Sequence, residues 1–334
     1  MNARGNAAGE SAPVDGEGGA RPRARKPDWL RVGIPSGDNA RLVSSLARAG
    51  GLATVCDSAR CPNKAECWGA ATATFMVLGS ACTRFCRFCA VEHRGEGDPL
   101  QAEEPRRLAK AVAELGLAYA VVTSVDRDDL SDRGAAHFAA CARALKALKA
   151  PTGESLRVEL LVPDYREGEI ETVLDTGCDV LAHNIETTPR LQGLRDKRAS
   201  YAASLHTLSL AASYARGSGG SPLVKSSIML GLGEEREEVL RSMDDLREAG
   251  CSALVLGQYL RPTKAQVDVV RYLDPDEFAR YADEARERGF TAVVSAPLAR
   301  TSYRAHEAFR QSPQESFHAD PKDLHRQSPE EIGE

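Results

Sequence analysis

The sequence lacks the features of a membrane-spanning, a secreted or a nucleic-acid-binding protein. No apolar run approaches the roughly 20 residues that a membrane span needs. No basic, apolar and small-residue segment of the secretory type precedes the body of the chain, and the nine cysteines are an odd number. The formal net charge of −5 disfavours a nucleic-acid scaffold, which would carry a basic stripe. We therefore expect a cytoplasmic protein with no nucleic-acid or membrane partner.

Two fold signatures are also missing. No internal repeat with a solenoid period is present, and no GxGxxG turn follows the first strand, so a dinucleotide-binding fold lacks support. What is present is an alternation of short apolar runs and amphipathic stretches, which predicts βα units around a parallel sheet. A barrel-like or closed α/β barrel fits best, and an open doubly wound sheet stays possible. The seven candidate strands are TFMVLG from Thr74, AYAVVTSV from Ala118, LRVELLVP from Leu156, DVLAHNI from Asp179, LVKSSIMLG from Leu223, SALVLGQYL from Ser252 and TAVVSAP from Thr291.

Six of the nine cysteines lie between residues 56 and 90, as two sets of three. Cys82, Cys86 and Cys89 form C-x3-C-x2-C directly after the first predicted strand, where an α/β barrel carries its functional loops. Three thiolates can hold three corners of a cubane iron–sulfur cluster and leave the fourth iron open to a substrate. A structural zinc site with His93 as fourth ligand is the alternative.

The second set is Cys56, Cys61 and Cys67, spaced C-x4-C-x5-C, and it has no fourth ligand nearby in the sequence. Two incomplete sets favour iron–sulfur chemistry over zinc. The other three cysteines stand alone in helical or pre-strand contexts and are expected to be ordinary buried thiols: Cys141, Cys178 and Cys251.

Together these motifs resemble a known family. The C-x3-C-x2-C loop is similar to the signature of radical S-adenosylmethionine enzymes, and the preceding C-x4-C-x5-C is similar to the auxiliary-cluster motif of the lipoyl synthase family. The resemblance covers roughly residues 26 to 306. Further matching stretches are KPDWLR from Lys26, CPNKAECW from Cys61, TATFMVLG from Thr72, TSVDRDDL from Thr123, LVPDY from Leu161, HNIET from His183, KSSIMLGLGE from Lys225, GQYLRPT from Gly257 and RTSY from Arg300.

The resemblance implies an α/β fold, a partial (β/α)6-type barrel with a cysteine-rich N-terminal extension and a C-terminal segment that closes the barrel mouth. On this basis we divide the chain into five parts. They are a disordered leader (1–25), the extension (26–70), the barrel (71–298), a cluster-ligand segment (299–306) and a mostly disordered tail (307–334).

The resemblance also implies the activity of a sulfurtransferase. Such an enzyme inserts two sulfur atoms at C6 and C8 of an octanoyl chain that is amide-linked to a lysine of a lipoyl carrier domain. Its cofactors are two 4Fe–4S clusters and S-adenosylmethionine, which is cleaved to a radical that removes hydrogen from unactivated C–H bonds. Its implied partners are the E2 subunits of 2-oxoacid dehydrogenases, the glycine cleavage H protein, a flavodoxin or ferredoxin as electron donor, and an iron–sulfur carrier.

In the family, the second cluster is the sulfur source, and a serine of an RSSY-like motif is its fourth ligand. Here the motif reads Arg300, Thr301, Ser302, Tyr303, so the first serine is a threonine and the position that matches the ligand, Ser302, is kept. Ser302 follows the last predicted strand and is therefore expected at the same mouth as Cys82. A relative of biotin synthase and a non-catalytic iron–sulfur or zinc protein are the alternatives.

Contacts to S-adenosylmethionine are expected from polar residues at the predicted strand ends, because these point towards the barrel mouth. Each residue could instead cap a helix or lie in a solvated turn. The candidates are Thr123, Ser124, Asn184, Glu186 and Lys225.

Overall fold

The N-terminal part of the protein is a small helical unit that carries Cys56, Cys61 and Cys67. The structure, a computed structural model, describes residues 25–310, so most of the predicted leader and of the predicted tail lies outside it. A 3-10 turn at Asp28–Leu30 precedes helix α1 (Gly37–Ala49), strand β1 (Ala53–Thr54), α2 (Val55–Ser58) and α3 (Lys64–Gly69). Helix α1 packs on α3, and β1 pairs antiparallel with the first barrel strand.

The body of the protein is a twisted parallel sheet with helices between its strands. All seven predicted strands are present, and each pairs in parallel with its neighbour. They are β2 (Thr74–Val77), β5 (Tyr119–Ser124), β6 (Arg157–Leu161), β7 (Val180–Ala182), β8 (Leu223–Leu230), β9 (Ala253–Gln258) and β10 (Ala292–Ala296). A separate two-stranded ladder of β3 (Ala81–Cys82) and β4 (Glu92–His93) frames the loop of Cys82, Cys86 and Cys89.

The intervening helices complete the βα units. They are α4 (Glu104–Glu114), α5 (Ala135–Lys146), α6 (Glu169–Leu174), α7 (Tyr201–Gly217), α8 (Arg236–Glu248) and α9 (Pro275–Glu287), with a 3-10 segment at Pro189–Leu194 and a last helix α10 (Ala305–Arg310). Helix α9 begins where the Asp274 carboxylate accepts the Asp276 N–H, with Pro275 in the first turn. No helix of residues 25–310 is long and apolar enough to cross a membrane.

The sheet is a partial barrel, because within residues 25–310 its two edges are β1 and β10 and these do not pair with each other. The core lies between sheet and helices, and the strands read as nearly continuous apolar runs since both faces are covered. At the amino ends of the strands, Phe309 of α10 packs with Val180, Leu223, Ala253 and Ala292. The C-terminal segment therefore ends at the amino ends of the strands. We call the opposite face, at the carboxyl ends of the strands, the mouth.

Candidate functional site

A tight turn leads from β2 into the loop that carries Cys82, Cys86 and Cys89. Leu78 has φ +70°, a left-handed conformation that is costly for a branched side chain, and Gly79 follows at φ +94°. Buried charged groups hold the turn: Leu78 N–H donates to Glu104 over 3.1 Å, and Arg127 donates to the Leu78 carbonyl over 2.9 Å. These bonds fix the direction in which the cysteine loop leaves the sheet.

The three thiols converge on one cavity at the barrel mouth. Cys82, Cys86 and Cys89 are free, and all three line a cavity of about 160 Å³. Backbone N–H groups of Arg84 and Asp196 point at the sulfurs of Cys82 and Cys86, at 3.4 and 3.3 Å. Burial, followed by nearby acidic groups, raises the pKa of Cys82 and Cys89 to about 12, and burial raises that of Cys86 to about 11. The three therefore need a cationic group nearby to be thiolates at neutral pH.

The cysteine loop is tied to the barrel by the buried guanidinium of Arg84. Its Nε and Nη2 donate to the two carboxylate oxygens of Asp128 over 2.8 and 2.9 Å, and Nη1 lies 2.7 Å from Asp164 and 3.3 Å from Asp126. Arg84 is only 3% exposed. One side chain between two of the cysteines thus neutralises carboxylates from two neighbouring strand ends, which makes the loop and the sheet one rigid unit.

Four of the five residues expected near S-adenosylmethionine line this cavity: Thr123, Ser124, Asn184 and Glu186. Within residues 25–310 the buried Ser124 hydroxyl has no hydrogen-bond partner, and Glu186 has φ +67°. Burial raises the pKa of the Glu186 carboxyl, and nearby Arg195 opposes that rise. The cavity thus offers free polar groups and acidic side chains to a ligand.

The fifth residue, Lys225, lies elsewhere, and the expectation that it reaches the mouth is wrong. It is the third residue of β8, near the amino end of the longest strand, and it is 2% exposed. Its ammonium forms an ion pair with the fully buried Glu159 at 2.6 Å, and Tyr119 donates to the same carboxylate over 2.6 Å. Its position in a strand of eight residues, not its polarity, decides which end of the barrel it faces.

The second cysteine set converges in the N-terminal unit. Cys56 lies in α2, Cys67 in α3 and Cys61 in the turn between them. All three are free, and burial and their mutual charge repulsion raise the pKa of Cys67 to about 12. The half-buried Arg300 lies close enough to Cys61 for the two charges to interact. A cation beside three thiolates offsets part of their negative charge.

The C-terminal segment is brought to these cysteines by hydrogen bonds at both of its ends. Asn63 donates to the Leu298 carbonyl over 2.7 Å, across a sequence separation of 235 residues. Glu66, next to Cys67, accepts from the Tyr303 hydroxyl over 2.8 Å and pairs with Arg304 at 2.7 Å.

Ser302 lies between these two anchors and lines a cavity of about 540 Å³ together with Cys67. The first residues of β2 and β5, Thr74 and Tyr119, line it as well. Ser302 thus lies beside Cys67 of the second cysteine set. The expectation that it lies at the same mouth as Cys82 is wrong, because the cavity that Ser302 lines is at the amino ends of β2 and β5.

A further group of ligand-type residues has a structural role. Glu104, His137 and Cys141 have donor atoms within 4.8 Å of one another. The Glu104 carboxylate already accepts the Leu78 N–H and lies 2.7 Å from the His137 ring nitrogen. These bonds support the turn before the cysteine loop. Cys141, Cys178 and Cys251 are fully buried thiols, as expected.

Comparisons with known proteins identify the family. The model of the Radical SAM superfamily matches residues 76–246. The lipoyl synthase of Methylococcus capsulatus is 51% identical over 297 residues, which cover 88% of either chain. That of Methanocella arvoryzae is 47% identical over 291 residues, which cover 86% of this chain and 96% of the relative. The chain belongs to the lipoyl synthase family.

Solved structures support the fold of this lipoyl synthase family member. A maturase of the FeFe-hydrogenase, HydG, superposes with a TM-score of 0.51 at 16% identity, and the match covers 71% of this chain and 53% of that chain. The expected α/β partial barrel of the radical S-adenosylmethionine kind is thus confirmed.

Both cysteine sets fit the clusters that lipoyl synthase family membership implies. The donor sets are three unpaired thiols each, with backbone N–H groups directed at the sulfurs, an environment that tunes iron–sulfur clusters. Sequence reasoning missed Arg84 as a structural anchor and Asn63 as the link to the C-terminal segment. The position of Arg84 between two predicted ligands offered a signal for its role, since a charged residue there must be solvated or paired. Nothing in the sequence indicated the role of Asn63.

Proposed function

We propose that the chain inserts two sulfur atoms at C6 and C8 of a protein-bound octanoyl-lysine and so forms the lipoyl cofactor. The observation that carries the proposal is the arrangement of ligands. One set of three free cysteines, Cys82, Cys86 and Cys89, lies at the barrel mouth, and the other, in the N-terminal unit, has Ser302 of the C-terminal segment beside its Cys67. Family membership supports the same reaction.

In this proposal Cys82, Cys86 and Cys89 hold one 4Fe–4S cluster, and their incomplete ligand set leaves one iron for S-adenosylmethionine. The bound pair supplies the one-electron chemistry that no side chain of this protein can provide. Thr123, Ser124 and the cavity wall would orient the ligand and exclude water from it.

Acidic side chains give the cavity its preference for a positively charged ligand. Burial raises the pKa of both the Asp126 and the Glu186 carboxyl. A sulfonium cation would stabilise their charged forms. Arg195, on the same wall, is placed to meet a carboxylate, and Asn184 offers an amide to the polar atoms of the ligand.

Cys56, Cys61, Cys67 and Ser302 would hold the second cluster, the proposed sulfur source. A serine alkoxide is a harder and more basic ligand than a thiolate, so we expect it to leave iron more readily. Such a ligand suits a cluster that must come apart. The carrier domain, the low-potential electron donor and the iron–sulfur carrier named above are the proposed partners.

Metal analysis tests the assignment of ligands. Full-length chain reconstituted without oxygen should hold about eight iron and about eight sulfide, as expected for two 4Fe–4S clusters. Replacing either cysteine set with alanine should leave about four of each. A chain that keeps its full iron and sulfide after replacement of Cys56, Cys61 and Cys67 would contradict the proposal. A colourless, zinc-loaded protein would contradict it as well.

A further inference from the structure

Thr301, the neighbour of Ser302 in the C-terminal segment, is buried and hydrogen-bonded to the barrel. It is 8% exposed, and its hydroxyl lies 3.1 Å from Oδ1 of Asn184 and 3.0 Å from Oγ of Ser227. Asn184 follows β7, and Ser227 lies in β8. A residue of the C-terminal segment is thus hydrogen-bonded to two neighbouring barrel strands, across sequence separations of 117 and 74 residues.

One of the two partners of Thr301, Asn184, belongs to the mouth cavity. Asn184 lines that cavity with the three mouth cysteines, and its amide also hydrogen-bonds the Glu186 carboxylate. A chain of hydrogen bonds therefore runs from Glu186 through Asn184 to Thr301. The next residue, Ser302, lines the other cavity with Cys67.

The other anchors of the C-terminal segment hold its two ends and not its middle. Asn63 and Glu66 tie the segment to the N-terminal unit, so they set how its two ends lie against Cys67. The Thr301 hydroxyl ties the middle of the segment to the barrel. Because adjacent side chains of an extended or turning segment point in different directions, fixing the side chain at 301 also fixes the direction of the side chain at 302.

We propose that Thr301 is a positioning residue that holds Ser302 beside Cys67 through its hydrogen bonds to Asn184 and Ser227. The inference rests on the proposed function, since it concerns the ligand set of the second cluster. It gives a reason why a hydroxyl side chain suits this position: serine and threonine both provide the donor and acceptor, and valine, of nearly the same shape, provides neither.

Three variants of the full-length chain test the proposal. Thr301→Val removes the hydroxyl and keeps the shape, and Thr301→Ser keeps the hydroxyl. Thr207→Val is the matched control, because Thr207 in α7 is 1% exposed and its hydroxyl also makes two hydrogen bonds, to the carbonyls of Tyr165 and Ala203. It is remote in sequence from the C-terminal segment. General loss of stability should affect both valine variants alike.

Two readouts are measured. The first is hydrogen exchange of the Tyr303 amide, which donates to the Arg300 carbonyl over 2.9 Å. The second is the rate at which a chelator removes iron from chains in which Cys82, Cys86 and Cys89 are alanine, so that only the second cluster contributes. We expect both to be roughly tenfold faster in Thr301→Val, as the loss of buried hydrogen bonds would cause, and within about twofold of the parent in Thr301→Ser and Thr207→Val.

The outcomes separate the inference from the proposed function. Equal effects of the two valine variants, or a Thr301→Val chain that behaves like the parent, would overturn the inference. The proposed function would still stand if the parent binds iron at Cys56, Cys61 and Cys67. A parent that binds no iron at Cys56, Cys61 and Cys67 would overturn the proposed function, and the inference with it. Faster exchange and faster iron release confined to Thr301→Val support the inference.

Discussion

Replacing Arg84 with methionine removes the charge that holds the cysteine loop on the barrel. The side chain is 3% exposed and pairs with Asp126, Asp128 and Asp164 at 2.7 to 3.3 Å. Breaking a buried pair typically costs about 3–5 kcal/mol, because the partner charge stays buried without compensation. Asp126 and Asp128 keep partial solvent access, at 27% and 17% exposure, so we expect the lower end, about 3 kcal/mol.

Thermal unfolding measures this cost. For a domain of close to 300 residues, an unfolding entropy of about 2.1 cal/mol/K per residue means that about 3 kcal/mol lowers Tm by about 5 °C. The variant should also lose iron from the set of Cys82, Cys86 and Cys89, since the loop that carries these ligands is no longer fixed.

Two controls accompany this variant. Arg106→Met removes a guanidinium that is 78% exposed and paired only with Glu103 nearby, and it should change stability by less than about 0.5 kcal/mol. Arg84→Lys keeps a charge but cannot reach Asp128 with two parallel bonds, so an intermediate loss is expected. If Arg84→Met unfolds at the parental temperature with its iron intact, the network does not anchor the loop and the reasoning is refuted.

Three further predictions concern the barrel and the C-terminal segment. Lys225→Met should cost about 3–5 kcal/mol by leaving Glu159 unpaired, and the double variant with Glu159→Gln should recover most of it; loss of S-adenosylmethionine binding at unchanged stability, by equilibrium dialysis, would contradict this role. Burial holds His183 neutral with a pKa of about 4 against an ordinary 6.5, so stability is complete above pH 6.5 and falls as the pH drops towards 4. Denaturant titrations should show about 2 kcal/mol less stability from this group at pH 5 than at pH 7, a loss that is absent in His183→Gln. Gly257→Ala places a Cβ against the backbone of the C-terminal segment, so the chain should lose the iron held by Cys56, Cys61 and Cys67. Gly217→Ala, with open space around the new Cβ, should keep that iron. Equal iron in both variants would contradict the role of the C-terminal segment in binding the second cluster.

The strands of the barrel were predictable because each is buried on both faces and reads as one apolar run. The grouping of each cysteine set was predictable because its ligands lie within 12 residues of one another. The position of Lys225 was not, because a polar residue in an apolar run gives no sign of its height in the barrel. Its buried partner, Glu159, comes from a separate strand and has no local signature.

The path of the C-terminal segment could not be predicted either. Its contacts with Asn63 and Glu66 join residues more than 230 positions apart, so no local pattern in the sequence indicates them. Helix α10 continues to Arg310, beyond residue 307 where the polar, proline-punctuated composition suggested a tail. Phe309 of that helix packs on the amino ends of four strands.

The most direct test of the account is a reaction with reduced, cluster-replete enzyme, S-adenosylmethionine and an octanoyl-lysyl peptide. The account predicts a peptide that gains the mass of two sulfur atoms, as the dithiol under these reducing conditions, together with 5′-deoxyadenosine. A chain that lacks Cys56, Cys61 and Cys67 should still form 5′-deoxyadenosine but add no sulfur. Absence of both products from the cluster-replete enzyme, or sulfur insertion by the variant without these cysteines, would contradict the account.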